Sequence, residues 1–290
     1  MSQLLLLGVY GLANGAVLAL AALGFVLIYK ASRVVNFAQG ELLLLGAYVF
    51  YTARVALHLP LLIALLLSAA AALALGALIE RLVLRRLLGE APIALVMVTI
   101  GLSALFRALV QLGFGTAPRE LPKLLPAGSV ALGAGLHLPL DRLLAIGLCA
   151  LVLGAFSALF RWSRHGVALR AMADDQRAAL AQGIAVSRVY ALAWGLGALS
   201  ALIGGGLLSD ITELSPNLAG FGVLVFPVVI LGGLDSIPGT VAGGVLVGLV
   251  SQFAEGLCPG ASQVICHLLL VLLLVLRPHG LFGEPRIERV

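Results

Sequence analysis

The chain has 290 residues, of which 61% are apolar and only 11% are charged, and its mean hydropathy is +1.13. This composition excludes a water-soluble domain, because apolar runs approach the roughly 20 residues that cross about 30 Å of hydrocarbon. The net charge of +5 could indicate nucleic-acid binding, but basic residues placed between apolar runs favour anchors at one membrane face. We therefore predict an all-α polytopic membrane protein with a single transmembrane domain over residues 1–290.

Hydropathy predicts nine crossings, which would place the two termini on opposite sides of the membrane. The first apolar run is interpreted as a retained crossing and not as a signal peptide, because no charge precedes Lys30. In chain order, the predicted crossings are residues 4–29, 38–56, 60–79, 91–113, 139–160, 190–209, 218–234, 239–256 and 262–277.

The distribution of Lys and Arg predicts the orientation of the chain. If the N-terminus lies outside, 13 of the 18 basic residues fall on the cytoplasmic side, 4 fall outside, and Arg107 falls within a crossing. The inverted orientation would place the 13 outside. Because cytoplasmic loops carry the excess of positive charge, we expect the N-terminus outside and the C-terminus in the cytoplasm.

Two predicted crossings are interrupted by polar residues and glycines, at residues 34–48 and 230–244. Backbone that leaves a helix at membrane depth must be satisfied by protein or by a watery cavity, and such interruptions in both halves of a chain often mark a translocation pathway. The alternative is that both are loops at the membrane surface, so re-entrance remains open. The candidate pathway residues are Asn36, Phe37, Gln39, Gly40, Glu41, Asp235, Ser236 and Gly239.

Three charged residues near these crossings have more than one interpretation. Glu41 and Asp235 could lie at helix N-termini, where the helix dipole stabilises a carboxylate, or they could contact substrate. Arg107 could extend to the membrane interface, hold a structural partner, or line the pathway.

Residues 161–189 form the one long charged segment, and we predict a cytoplasmic loop that contains a short amphipathic helix. Asp174 and Asp175 would occupy its N-cap and first turn, and Gly183 would be its C-cap. A loop that is basic only to set the topology is the alternative. Its length, its caps and its mixed charges favour a docking element for a soluble partner.

Residues 114–138 are rich in Pro and Gly and predict an outside loop that docks a partner or caps a cavity.

Cys258 and Cys266 flank a short loop, where a disulfide is conceivable. With His267 they do not match a zinc spacing, so two unrelated thiols are favoured and no metal site is predicted.

The sequence contains no Gly-Lys-Ser/Thr step for binding nucleotide phosphates and no catalytic constellation. We therefore expect a transport subunit and not an enzyme. An ion-coupled carrier or a passive channel is the alternative, which the sparse charge within the crossings disfavours.

The sequence also resembles the branched-chain amino acid permeases of ABC importers. Residues 36–41, NFAQGE, resemble that family's NFAHGE element, with Gln39 where the family often has His. Residues 166–184 resemble its cytoplasmic loop, with Arg177 at the acidic position of the importer EAA motif. Residues 229–244 resemble its LGG-GSIPG element, with Asp235 where glycine is common. The matches run in family order from about residue 8 to the end of the chain.

The resemblance implies a type II-like ABC importer transmembrane subunit of about 8–9 membrane helices in the bacterial inner membrane. It implies a second, related permease, two cytoplasmic ATPases that use ATP and Mg²⁺, and a periplasmic substrate-binding protein. This chain would bind no cofactor and no nucleic acid, and would contact membrane lipids. Leu, Ile, Val or related small amino acids would be carried, with urea and short amides as alternatives. The residues that would couple to the ATPases are Asp174, Asp175, Arg177, Ala178, Ala179 and Gly183.

Overall fold

The structure is a computed structural model, and it describes residues 2–87, 90–126, 128–131, 137–277 and 279–283. Within these residues the chain folds into eleven α-helices, six of which are long and apolar enough to cross a membrane. The prediction of an all-α polytopic membrane protein is therefore confirmed.

The helices follow the predicted crossings closely, apart from the charged segment and two shortened crossings described below. A π-helical turn, Thr52–Ala56, extends α2, and short 3₁₀ turns lie at Leu84–Leu87 and Pro216–Gly220. The helices are α1 Ser2–Ser32, α2 Gln39–Tyr51, α3 Leu61–Leu82, α4 Pro92–Phe114, α5 Leu140–Trp162, α6 Arg164–Asp174, α7 Gln176–Ala181, α8 Val186–Ile211, α9 Phe221–Gly232, α10 Ile237–Leu257 and α11 Ser262–Leu276. Two short strands, β1 Ser129–Ala131 and β2 His137–Pro139, pair antiparallel between α4 and α5.

The two ends of the helix bundle differ in charge. We call one end the basic face, where Lys30 Nζ donates to the backbone carbonyl of Asp235 and the Arg170 guanidinium to that of Phe160. At the opposite face, an Arg142 guanidinium nitrogen donates to the carbonyl of Ile211 over 2.9 Å. Since α1 begins at the opposite face and the segment 279–283 packs at the basic face, the described ends of the chain lie at opposite ends of the bundle.

Helix α1 lies at the centre of the bundle, and its residues 17–28 are all buried. Glycines let its neighbours approach closely: a Cβ added to Gly24 would lie 2.6 Å from the carbonyl oxygen of Gly197 in α8. Gly244 and Gly248 of α10 likewise pack against Gly15 of α1. Gly244 and Gly248 are four residues apart and lie on one face of α10, and such spacing of small residues allows close helix packing within a membrane.

The helices form two repeats with opposite directions. The first is α1 to α4 and the second is α8 to α11, with α5, α6 and α7 between them. In each repeat a long helix is followed by a non-helical break, a short helix and two further helices. The third helix of each repeat packs on the first helix of the other, since α3 packs on α8 and α10 packs on α1. Inverted repeats of this kind are a common transporter architecture.

Candidate functional site

The first break lies between α1 and α2 and enters the bundle from the basic face. The side-chain amide of Gln39 donates to the carbonyl of Ala21 over 2.9 Å. Ala21 lies about 16 Å from Ser32, the end of α1, at 1.5 Å per residue. Helix α2 therefore begins near the middle of the bundle, and residues 33–38 cover the other half of this crossing without helical structure. The segment is a broken crossing, not a surface loop.

The second break enters from the opposite face, after α8. The chain leaves α8 at Ile211, passes through the turn Pro216–Gly220, and starts α9 beside the start of α2. Gly222 lies so close to Gly40 that a Cβ added to Gly222 would clash with the Cα of Gly40. Helix α9 has 12 residues, a length of about 18 Å against roughly 30 Å of hydrocarbon. The N-terminal ends of two half-length helices therefore meet at mid-depth.

Of the two interpretations that the sequence left open for residues 230–244, the structure shows the loop at the membrane surface, and the re-entrant interpretation is wrong there. There the structure has a turn between α9 and α10 at the basic face, and Ser236 Oγ caps α10 by accepting from the Gly239 backbone N–H over 3.1 Å. Asp235 precedes this cap, and Gly239 packs against Gly232. These three pathway candidates therefore do not meet Asn36 and its neighbours. The sequence feature that could have predicted the second break is Ser-Pro-Asn at residues 215–217, where polar residues and a proline precede an apolar run.

The polar side chains of the first break satisfy the backbone that has left the helix. Asn36 Oδ1 accepts from the Ala38 backbone N–H over 3.0 Å, and Asn36 Nδ2 donates to Gln39 Oε1 over 3.1 Å. Thr99 of α4, which the sequence analysis did not select, accepts from the Phe37 backbone N–H over 3.3 Å. Asn36 and Gln39 are fully buried. Their position agrees with the requirement that non-helical backbone at membrane depth be paired within protein.

Phe37 is the only exposed side chain among the pathway candidates at the first break, at 38% exposure. Its ring centroid lies 5.0 Å from that of Phe226, a residue of α9. An aromatic contact thus joins the two half-helices next to the Gly40 and Gly222 crossing.

Glu41 and Arg107 form an ion pair between α2 and α4. Glu41 lies in the first turn of α2, where the helix dipole favours a carboxylate, and it is buried. Arg107 Nη2 donates to Glu41 Oε1 over 2.7 Å, while the Arg107 side chain remains 49% exposed. Of the roles left open by the sequence, the structure shows a structural partner for Arg107.

The charged segment forms two helices, α6 and α7, where the sequence predicted one. Asp174 is the last residue of α6, so its prediction as a start of the helix is wrong. Asp175 alone is the N-cap of α7, since its Oδ1 accepts from the backbone N–H groups of Arg177, at 2.8 Å, and Ala178, at 3.1 Å. The sequence alone could not tell which of the two adjacent aspartates is the N-cap. The extended backbone at Asp175, with a φ of −150°, makes Asp175 the N-cap.

The end of α7 confirms the predicted cap at Gly183. Its φ is +82°, in the left-handed region that favours glycine. The Gly183 N–H donates to the carbonyl of Leu180 over 2.9 Å, and the Ile184 N–H donates to that of Ala179 over 3.1 Å. This pair of bonds is a Schellman motif, which ends the helix.

Helix α7 is anchored by one side and exposed on the other. Ala179 is buried, whereas Arg177, Ala178 and Leu180 are exposed. The Tyr190 hydroxyl of α8 donates to Gln176 Oε1 over 3.4 Å. Movement of α7 would therefore act directly on α8, the first helix of the second repeat.

Residues 119–124, in the predicted outside loop, are hydrogen-bonded to the opposite face near the second break. Arg119 N–H donates to the carbonyl of Leu214 over 2.8 Å, and the Leu124 N–H donates to Asp210 Oδ1 over 2.6 Å. Both partners flank the point where the chain leaves α8. The two expected roles of the loop, a docking surface or a cap over a cavity, both stay predictions.

The cysteines contribute no cross-link in this structure. Cys258 is an exposed thiol, and Cys266 and Cys149 are buried thiols. Among the residues that the structure describes, no group of three or more His, Cys, Asp or Glu side chains could hold a metal ion.

Among the described residues, two inverted repeats of four helices each, with half-length helices that meet at mid-depth, have the architecture of a membrane permease. A family model described as branched-chain amino acid transport system / permease component matches residues 8–276, which include both repeats. The chain therefore belongs to this family.

Named relatives extend over nearly the whole chain. It is 31% identical to the high-affinity branched-chain amino acid transport system permease protein BraD of Pseudomonas aeruginosa, over 97% of this chain and 96% of that protein. It is 30% identical to the corresponding protein LivH of Escherichia coli K12, with the same coverage. It is 28% identical to a probable branched-chain amino acid transport permease protein LivH of Methanocaldococcus jannaschii, over 92% and 88% of the two chains. No solved structure matches the chain significantly.

Proposed function

We propose that this chain is the transmembrane permease subunit of an ATP-driven importer for Leu, Ile, Val or a related small amino acid. The observation that carries the mechanism is the meeting of α2 and α9 at Gly40 and Gly222. The substrate class is supported by the relatives, which are named as high-affinity branched-chain amino acid permeases.

Cargo would pass beside the point where the two half-helices meet. Half-helix N-termini at mid-membrane supply free backbone N–H groups and a positive dipole end, which suit the carboxylate of an amino acid. Rocking of one inverted repeat against the other would open this point to each side of the membrane in turn. Phe37 is the candidate residue best placed to contact cargo, because its ring is exposed next to that point.

The basic face would lie in the cytoplasm of a bacterial inner membrane, with the N-terminus outside. The excess of Lys and Arg on this face supports that orientation. Two cytoplasmic ATPases would use ATP and Mg²⁺, and the exposed side of α7, including Arg177 and Ala178, would be a contact surface for them. A periplasmic binding protein and a second, related permease would complete the importer, and this chain would bind no nucleotide itself.

The test is transport by the purified complex in proteoliposomes. Radiolabelled leucine should accumulate only with ATP inside the compartment that contains the ATPases, with loaded binding protein on the other side. Urea should not compete with leucine. Uptake without the ATPases, or uptake that follows a proton or sodium gradient, would refute the importer and support a channel or carrier.

A further inference from the structure

A pocket of about 440 Å³ opens on the basic face, beside the charged segment. It lies between the ends of α1, α5, α6 and α10. Four basic side chains line it, together with the two acidic residues Asp174 and Asp235. The four are Lys30, Arg33, Arg161 and Arg170.

The charges of these four side chains are not neutralised by carboxylates. Among the residues that the structure describes, none of them lies within 4.0 Å of a carboxylate oxygen. Lys30 and Arg33 donate instead to neutral backbone carbonyls, those of Asp235, over 3.2 Å, and Ala173, over 3.0 Å. Arg161 lies over the ring of Trp162, 5.9 Å from its centroid. The pocket therefore offers an excess of positive charge to an anion.

An apolar groove of about 530 Å³ continues from this pocket into the membrane-spanning part of the protein. It lies between α1, α5 and α10, and Ser157 is its only polar lining residue. Ser157, Ile237 and Pro238 line both the groove and the pocket, so the two are continuous.

The length of the groove fits one leaflet of a bilayer. Along α5 it runs from Ile146 to Ser157, about 16 Å at 1.5 Å per residue. Half of a hydrocarbon core of roughly 30 Å is about 15 Å. Trp162, 77% exposed, lies beyond the basic end of the groove, in the position that tryptophans favour at a membrane interface.

We propose that the groove and the pocket together bind one anionic phospholipid of the leaflet at the basic face. The phosphate lies among Lys30, Arg33 and Arg161, and an acyl chain lies in the groove. A soluble anion would not fill an apolar groove of leaflet length. A zwitterionic lipid would bring a cationic group, together with its phosphate, to a pocket that already has an excess of positive charge. Basic pockets between transmembrane helices are known to bind anionic head groups. The proposal is independent of the cargo and of ATP.

Such a lipid would contact both the end of α1 and the end of α6. Arg33 and Ala173 line the pocket and are bonded to each other. The bound phosphate would therefore fix the charged segment against α1. One consequence, unlike lipid binding itself, rests on the proposed function: ATPase activity stimulated by the binding protein should be higher in anionic membranes.

The binding experiment uses the purified complex in nanodiscs that contain equal amounts of phosphatidylglycerol and phosphatidylcholine. Lipids retained after transfer to mild detergent are counted by native mass spectrometry. Among the described residues, the Arg161 guanidinium donates no hydrogen bond, so Arg161→Gln removes a charge without breaking one. It should lower phosphatidylglycerol retention about fivefold. Arg164→Gln removes the same charge from an exposed residue outside the pocket and should leave retention unchanged.

A second pair of variants tests the groove. A Cβ added to Gly154 or to Gly147 of α5 meets nothing within 4 Å, so both glycines accept a larger side chain. Only Gly154 lines the groove, so Gly154→Leu should fill it and displace the lipid, while Gly147→Leu should not. Thermal unfolding of each complex checks that the fold is retained.

Each other outcome overturns the proposal. If Arg161→Gln lowers phosphatidylglycerol retention but Gly154→Leu does not, the pocket is a site for a free anion. Competition by inorganic phosphate would confirm that interpretation. Equal losses in the control variants would indicate non-specific attraction. A crosslink formed between a groove residue such as Gly154 and the second permease would show that a helix of that subunit occupies the groove.

Discussion

The guanidinium of Arg33 donates a hydrogen bond to the carbonyl oxygen of Ala173 over 3.0 Å. Arg33 is the first residue after α1, and Ala173 lies in the last turn of α6. Because Arg33 is the first residue of the first break, a displacement of α6 reaches the broken crossing through this bond. The charged segment is thus joined to both repeats, by Arg33 to the first and by Tyr190 to the second.

Removal of the Arg33 side chain should uncouple ATP hydrolysis from transport. Arg33 has a φ of +57°, which glycine adopts without strain, so Arg33→Gly deletes the bond and keeps the backbone. We expect fewer leucine molecules imported per ATP hydrolysed, measured in proteoliposomes. His58→Gly is the matched control, because His58 also has a positive φ, of +53°, but lies far from the basic face. An unchanged ratio for Arg33→Gly would contradict this route.

The Schellman motif at Gly183 should be required for docking of the ATPases. Gly183→Ala places a side chain in the left-handed region, at a cost of roughly 1–2 kcal/mol, and weakens the end of α7. We expect stimulation of ATPase activity by loaded binding protein to fall several-fold. Gly115→Ala is the control, since Gly115 has a φ of +78° and equally open surroundings but lies at the other end of the molecule. Equal losses in the two variants would show a general effect on stability.

The contact of Gly40 with Gly222 should not tolerate a methyl group. Gly222→Ala would press a Cβ onto the Gly40 backbone, an overpacking that costs about 1–3 kcal/mol. We expect a lower Tm and loss of leucine uptake. A Cβ added to Gly220, two residues earlier, meets nothing within 4 Å, so Gly220→Ala should behave as the unmodified protein does. Normal uptake by Gly222→Ala would exclude close approach of the half-helices during transport.

The Glu41 and Arg107 pair should contribute to stability as a coupled unit. Removing one partner leaves the other charge unpaired at membrane depth, which is costly. A double-mutant cycle with Glu41→Gln and Arg107→Gln, followed by reversible unfolding in detergent, should give a coupling free energy of about 1.5 kcal/mol. If the two single substitutions change the free energy of unfolding additively, the ion pair contributes no coupling to stability, and this prediction is wrong.

Cysteine labelling should establish which face lies outside. Cys258 is the only exposed native thiol, and it lies at the opposite face. We expect a membrane-impermeant maleimide to modify it in spheroplasts, and Cys258→Ser to abolish the signal. In a Cys258→Ser background, Arg177→Cys should react only in inside-out vesicles. The reverse pattern would overturn the proposed orientation.

Local sequence patterns predicted the features that depend on neighbouring residues. The cap at Gly183 follows from the conformational freedom of glycine, and the break at Asn36 follows from polar residues inside an apolar run. The meeting of Gly40 with Gly222 could not be predicted in this way, because it joins residues far apart in the chain. Buried Thr99 was missed for the same reason: a lone threonine in an apolar helix gives no sign that its hydroxyl supports the break two helices earlier.

The two inverted repeats carry information about a conformation other than the one described. If α1 to α4 adopted the internal arrangement of α8 to α11, and the second repeat adopted that of the first, the roles of the two membrane faces would be exchanged. Under the proposed function, this exchanged arrangement is the expected second state of the transport cycle, and it predicts distances that spectroscopic probes can measure.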